Sequence, residues 1–153
     1  MKILCTIGGY GSNGADAVTI AAHRTPDGTL AIVKQTEKCI LERQEGMALV
    51  TNLKLPAYDS LFKEEHLSDA IRSYREMVGQ DRLTFSERAM RYKPRIETDG
   101  IDEKGQQYRL DPNIDNAQMA ILAIVHFVDR QFAITSSASM ADRVAKLYAI
   151  MSI

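Results

Sequence analysis

Residues 8 to 16 read GGYGSNGAD and follow the apolar run Ile3 to Ile7. Glycine lets a backbone approach a ligand closely, and successive N–H groups in such a loop can cradle an anion. Gly9, Gly11 and Gly14 are therefore candidate donors to a phosphate, with Ser12 and Asn13 between them and Tyr10 as a ring on which a base could stack. A cationic stretch follows later in the chain. Arg82, Arg88, Arg91, Lys93 and Arg95 are interleaved with Phe85 and Tyr92, and only Asp81 and Glu87 oppose them nearby. Arginine carries planar, forked donors suited to phosphate, and a neighbouring ring offers a stacking face. If the loop meets Arg88, Arg91, Lys93 and Arg95, in one chain or across a dimer, the expected partner is an anionic, nucleotide-like small molecule or a nucleic-acid segment. The competing reading pairs these cations with Glu97, Asp99, Asp102 and Glu103, which cancels the patch. The sequence leaves both open.

Gly9-x-Gly11-x-x-Gly14 has the spacing of a dinucleotide-binding fingerprint, which requires the third glycine to open a helix whose N-terminus holds the pyrophosphate. Here Asp16 to Arg24 reads as a strand, so that helix is not expected. No cofactor is implied. None of His23, His66 and His126 has a second His or a Cys at metal-ligand spacing. His126, inside an apolar run, reads as a satisfied core residue and His66 as a surface one. His23-Arg24-Thr25 has the His-x-Thr form of two-histidine phosphoesterases but lacks the second copy they need. The acids at 97 to 103 surround a turn, where carboxylates face water, and Asp115 reads as a helix cap. Ser136, Ser137 and Ser139 have no matching base and orienting acid. Binding is the expectation, and catalysis is not.

The elements that must position these residues follow from pattern. AVTIAAHRTPDGTLAIVKQ, residues 17 to 35, holds two β-favouring runs around Thr25-Pro26-Asp27-Gly28, a strong hairpin signal. Strands are expected near 2–8, 16–24 and 29–36, with the glycine loop between the first two. Met47 to Leu53 reads as a further strand ending before Pro56. Leu67, Ile71, Tyr74 and Val78 form a helical stripe, Gly79 stands where that helix would stop, and Asp69, Arg72 and Glu76 lie on its outer face. Residues 94 to 111 suggest a second hairpin around 102–105. Asp115 with Gln118 has the reciprocal N-cap spacing, and the run after it is apolar on nearly every face, the mark of a central helix. A last helix capped by Ser139 or Asp142 would present Val144, Leu147, Tyr148 and Met151 on one face. That face, with Met140 and Ile153, supports a second function class: a protein-interaction or inhibitor module that forms a homo-oligomer.

The 153 residues are 45% hydrophobic and 25% charged, the make-up of one globular domain that buries its own core. The expected class is α+β: an antiparallel sheet, made of an N-terminal three-stranded meander and a later strand and hairpin, packed against about three helices. A formal net charge of −1 gives no global attraction to nucleic acid or anionic membranes. Met1 to Ile7 carries one positive charge and too short an apolar run for a secretory signal. Met119 to Val128 is about half the ~20 residues a membrane helix needs. Cys5 and Cys39 sit in strand-like settings without a partner motif and read as reduced thiols, so the expected setting is cytoplasmic with no membrane partner.

Two analogies of fold accompany this reading. Residues 21 to 50, AAHRTPDGTLAIVKQTEKCILERQEGMALV, resemble the early hairpin, turn and next strand of proteasome β-type N-terminal-nucleophile hydrolases, and GIDEKGQQYRLDP at 100 to 112 is similar to their later hairpin. That resemblance implies a nucleophilic threonine with acidic and lysine partners. Ile7, His23 and Cys39 occupy those places, so the activity is not implied. The three-stranded start followed by helices also resembles the ribonuclease H-like fold, including phage packaging nucleases. That family carries a catalytic aspartate on the first strand, where this chain has Ile7-Gly8-Gly9. A degenerate enzyme fold is the third reading.

Overall fold

Short β-favouring runs make the expected meander: β1 (Leu4–Tyr10), β2 (Val18–Arg24) and β3 (Leu30–Gln35), each antiparallel to the one before. The structure, a computed structural model, describes residues 4–25, 27–94, 96–102, 105–110 and 114–131. At the β2–β3 turn Gly28 takes φ +89°, and its N–H donates to Thr25 O at 3.0 Å. Asp27 tightens the same turn by accepting from Thr29 N at 3.1 Å and from the Thr25 hydroxyl.

β4 (Met47–Thr51) lies beside β1, in parallel, and so makes β1 an interior strand. Two short strands with no clear sequence signal complete the sheet, β5 (Ser60–Leu61) against β4 and β6 (Leu83–Phe85) against β3. The order is β5-β4-β1-β2-β3-β6, and β2 alone opposes the direction of its neighbours. The α+β class and the meander are as expected, while the later strands join in parallel. A hairpin of β7 (Ile96–Asp102) and β8 (Gly105–Leu110) forms a separate antiparallel ladder.

The chain passes from β3 to β4 through residues 36–46, which must cross β2 and β1 to reach the far side of β1. Ile40 N donates to Thr19 Oγ1 at 3.4 Å, and the Thr36 and Thr19 hydroxyls share a hydrogen bond, which seats the crossing on the sheet face that carries Thr19. The opposite face carries Ile20, Ala22, Leu30, Ile32 and Val50 and meets the helices.

Helix α1 (Leu67–Gly79) buries Ala70, Ile71, Ser73, Tyr74 and Met77. Met77, not the expected Val78, completes the stripe, and Val78 is 41% exposed. Gly79 remains helical, and the left-handed residue that turns the chain is Asp81 at φ +54°. The expected Asp69–Arg72 pair forms at 3.8 Å with both side chains mostly exposed, which contributes little.

Helix α2, residues 116–131, begins at a reciprocal cap: Asp115 N donates to Gln118 Oε1 and Gln118 N to Asp115 Oδ1, each at 2.9 Å. Residues 117 to 126 of α2 are all buried, which makes it the central helix that its apolar sequence demands. Its closeness to the sheet depends on Gly8. A Cβ there would lie 2.6 Å from Ala120 O and collide with Ile124 Cγ1. Among the described residues no helix is long and apolar enough to cross a membrane. The expected last helix, with the serines at 136, 137 and 139, lies outside the described residues.

Candidate anion site and the glycine loop

The loop is shorter than GGYGSNGAD implies, because Gly8, Gly9 and Tyr10 belong to β1 and pair with Ile20, Thr19 and Val18. Gly9 lies between Thr19 and Thr51, and Tyr10 packs edge-on against Phe62 with ring centroids 6.3 Å apart. The ring expected to receive a base is thus in contact with the core.

The remaining loop donors are also engaged. Gly11 is clamped by Asn52, which accepts from Gly11 N at 3.0 Å and donates to Gly11 O at 2.7 Å. Asp16 folds back so that Oδ1 accepts from Ser12 N and Asn13 N, both at 2.9 Å, while Oδ2 takes the Ser12 hydroxyl. Asn13 in turn accepts from Ala15 N at 2.8 Å. The concavity is therefore filled by a carboxylate of the chain itself. Those bonds, the Ser12 hydroxyl first and then Asn13 N and Ser12 N, hold the Asp16 carboxyl below its ordinary range. Gly14 is open, its nearest neighbour being Leu41 Cδ1 at 3.6 Å from a built Cβ. No helix follows the loop, as the dinucleotide fingerprint would require.

The cations separate into two groups. Arg82 is structural: Nη1 lies 3.7 Å from Asp129 Oδ1 and donates to Gln80 Oε1 at 2.8 Å, and Nε reaches Gly28 O at 3.4 Å. Arg88 and Arg91 sit on the 3-10 helix Glu87–Tyr92, which Ser86 caps by accepting from Ala89 N at 3.3 Å. The Ser86 hydroxyl also donates to Val33 O, fixing this helix to the end of β3. Between the two elements lies an open cleft of about 390 Å³, lined by Lys34, Arg88, Arg91 and Tyr92 with Glu37 and Glu87. The Arg91 guanidinium carbon lies 4.7 Å from the centroid of the Tyr92 ring, and the group donates to the Tyr92 hydroxyl. Lys93 turns to the Phe85 ring at 5.7 Å and does not line the cleft. Arg95, and the side chains at 97 to 103, lie outside the described residues.

The cleft thus gathers Arg88 and Arg91 with Lys34, a residue that its strand position did not single out, and none of residues 9 to 14 lines it. Neither arginine nor Lys34 forms an ion pair among the described residues.

Two further residues meet unforeseen. His66 and His126, distant in sequence, stack with ring centroids 5.1 Å apart and planes 22° from parallel. His126 is buried as expected, yet its Nε2 has no hydrogen-bond partner, and His66 is half-buried, not a surface residue. His23 is exposed, and the positions set by the proteasome analogy do not assemble: Ile7 is buried on β1, while Cys39 is half-buried on the crossing. Burial raises the thiols of Cys5 and Cys39, both free, above their usual range. Among the described residues no group of three His, Cys, Asp or Glu could hold a metal ion. Comparison with family models, curated proteins and solved structures finds no match to this chain, so its functional reading rests on its own residues.

Proposed function

We propose that the protein binds an anionic, nucleotide-like ligand, or the phosphate of a nucleic-acid segment, in the cleft between β3 and the 3-10 helix Glu87–Tyr92, and that it does so without catalysis. The observation that carries this reading is the convergence of Lys34, Arg88 and Arg91 on one open cleft, with no ion pair recorded for any of them among the described residues. Guanidinium groups bind phosphate oxygens in forked pairs, and Arg91 is already engaged by the ring and hydroxyl of Tyr92, which lowers the ordering it must undergo on binding. Glu37 and Glu87 line the same cleft and favour a ligand that places neutral or donor groups at those positions. The glycine loop takes no direct part in this reading, since Asp16 and Asn52 already occupy its donors. The free thiols suit a cytoplasmic setting.

Isothermal titration with ATP, pyrophosphate and a short single-stranded oligonucleotide tests the proposal. Binding that weakens with added salt and is lost in the Arg88→Ala, Arg91→Ala double variant supports it. No binding to any of the three, or binding untouched by the double variant, overturns it. Native mass spectrometry of the same samples reports whether the chain self-associates, the homo-oligomer that the segment 139–151 suggests in sequence.

A further inference from the structure

The stacked pair at the junction of two elements has an unusual protonation problem. His126 is only 5% exposed, lies edge-on to Phe62 at 5.8 Å between centroids, and keeps a buried Nε2 without a partner. His66 covers it from the 3-10 turn Glu64–His66, and its Nδ1 accepts from Lys63 N at 3.1 Å. That bond makes Nδ1 the acceptor that ties the His66 ring to the start of its own turn. A second proton on His126 would leave a buried charge whose Nε2–H finds no acceptor. The His126 ring is therefore packed in its neutral form.

We propose that the His66–His126 stack is an acid-sensitive latch that fastens the segment 62–67, and with it the start of α1, to the central helix α2. The groups facing the pair have been placed on every side. His66 comes from the 3-10 turn, with Glu65 Oε1 at 3.9 Å from its Nε2 and the Lys63 ammonium 4.0 Å from the same carboxylate. Asp69 faces from α1, and Arg130 and Asp129 from α2. Glu64 acts on nearby Tyr10, whose ring also rests on Phe62. Burial first, then His66 and Arg130, push the His126 imidazole below its ordinary value of 6.5, and the acids at 69 and 129 oppose this without reversing it.

The sign follows from linkage. The opened state takes up a proton near 6.5 that the closed state refuses, so the closed latch is favoured above that pH and loses ground as pH falls below it. Opening uncovers the ring of Phe62, otherwise 4% exposed. Metal chelation is not an alternative use of the pair. Imidazole lone pairs lie in the ring planes, and near-parallel rings with centroids 5.1 Å apart do not converge on one ion about 2.1 Å from each nitrogen.

Hydrogen exchange on the full chain between pH 7.5 and 5, corrected for intrinsic rates and read at residues 62–67, tests the latch alongside NMR titration of the imidazoles. In the wild type, protection should fall by about tenfold per pH unit as pH drops below 6.5, the dependence for one proton taken up by His126 on opening. In His126→Phe the fall should vanish. His66→Asn keeps an acceptor for Lys63 N but removes the stacked cover, so protection should be low already at pH 7.5. If His126→Phe does not fold, the wild type alone decides. A His126 ring that takes up its proton while residues 62–67 stay protected overturns the latch, as does an acid-induced loss that persists unchanged in His126→Phe.

Discussion

The carboxylate of Asp16 accepts the backbone N–H groups of both Ser12 and Asn13 through a single oxygen, each at 2.9 Å. An external phosphate would use the same donors, so the loop is closed by its own anion. Asp16→Ala should lower the thermal midpoint at pH 7, and added phosphate should then stabilise the variant more than the wild type. The carboxyl's hydrogen bonds lower its pKa from 3.8, so their contribution is complete above that pH and is lost as pH falls through the folded value. The gap between variant and wild type should therefore close in strong acid. Thermal scans at pH 7 and pH 2, with and without phosphate, check both statements.

Gly8 separates a packing glycine from a ligand-binding one. Gly8→Ala places a methyl group 2.6 Å from the backbone oxygen of Ala120, which cannot rotate away as a side chain can. Overpacking of this kind costs about 1–3 kcal/mol and is expected at the upper end here, because α2 as a whole must shift. Urea denaturation reads the loss, and Ile124→Val should recover only a part of it. Anion binding in the folded fraction should be unchanged.

The Asn52 amide extends the β4–β1 pairing beyond the strand by bonding both backbone groups of buried Gly11. Asn52→Ala leaves those groups unpaired, and a buried orphan of this kind costs about 1–3 kcal/mol. The expected result is a lower urea midpoint with faster amide exchange at residues 11 to 17. Asn52→Asp should recover the Gly11 N–H bond but not the bond to Gly11 O.

At the cleft, Arg88→Ala and Arg91→Ala should each weaken ATP or pyrophosphate binding by about tenfold or more, since a hydrogen bond to a charged group contributes about 1.5–3 kcal/mol. Both residues are exposed and neither caps an element, so unfolding free energies from urea denaturation should stay within about 0.5 kcal/mol of wild type. Lys93→Ala, whose ammonium lies over Phe85 outside the cleft, should affect binding far less. Calorimetry on the three variants checks this order.

Local signals in the sequence were strong where the structure is locally determined. The Asp115–Gln118 cap, the turn at Thr25 to Gly28 and the β-favouring runs of β2 and β3 each depend on neighbours within a few residues, and each forms as read. A glycine that admits a helix, as Gly8 does, and a glycine that admits a phosphate look alike in sequence. What distinguishes them is Ile124, more than 100 positions away. β5 and β6 are too short to carry a period, and their pairing is imposed by the sheet edges they meet. The His66–His126 stack and the entry of Lys34 into the cleft are tertiary contacts, to which spacing along the chain is blind.

The position of β1 between β2 and β4 also constrains how the chain folds. One edge of β1 is filled as soon as residues 18–24 fold back upon it, a local and fast event. The other edge waits for residues 47–51, and these can arrive only after the crossing at 36–46 has wrapped over two strands. During synthesis the nascent meander therefore exposes the outer edge of β1, with its unpaired amides, until residues 47–51 have left the ribosome. Slow closure of the long-range parallel pairs β1–β4 and β3–β6, not formation of the hairpins, should set the refolding rate, because non-local pairing carries the larger chain-entropy barrier.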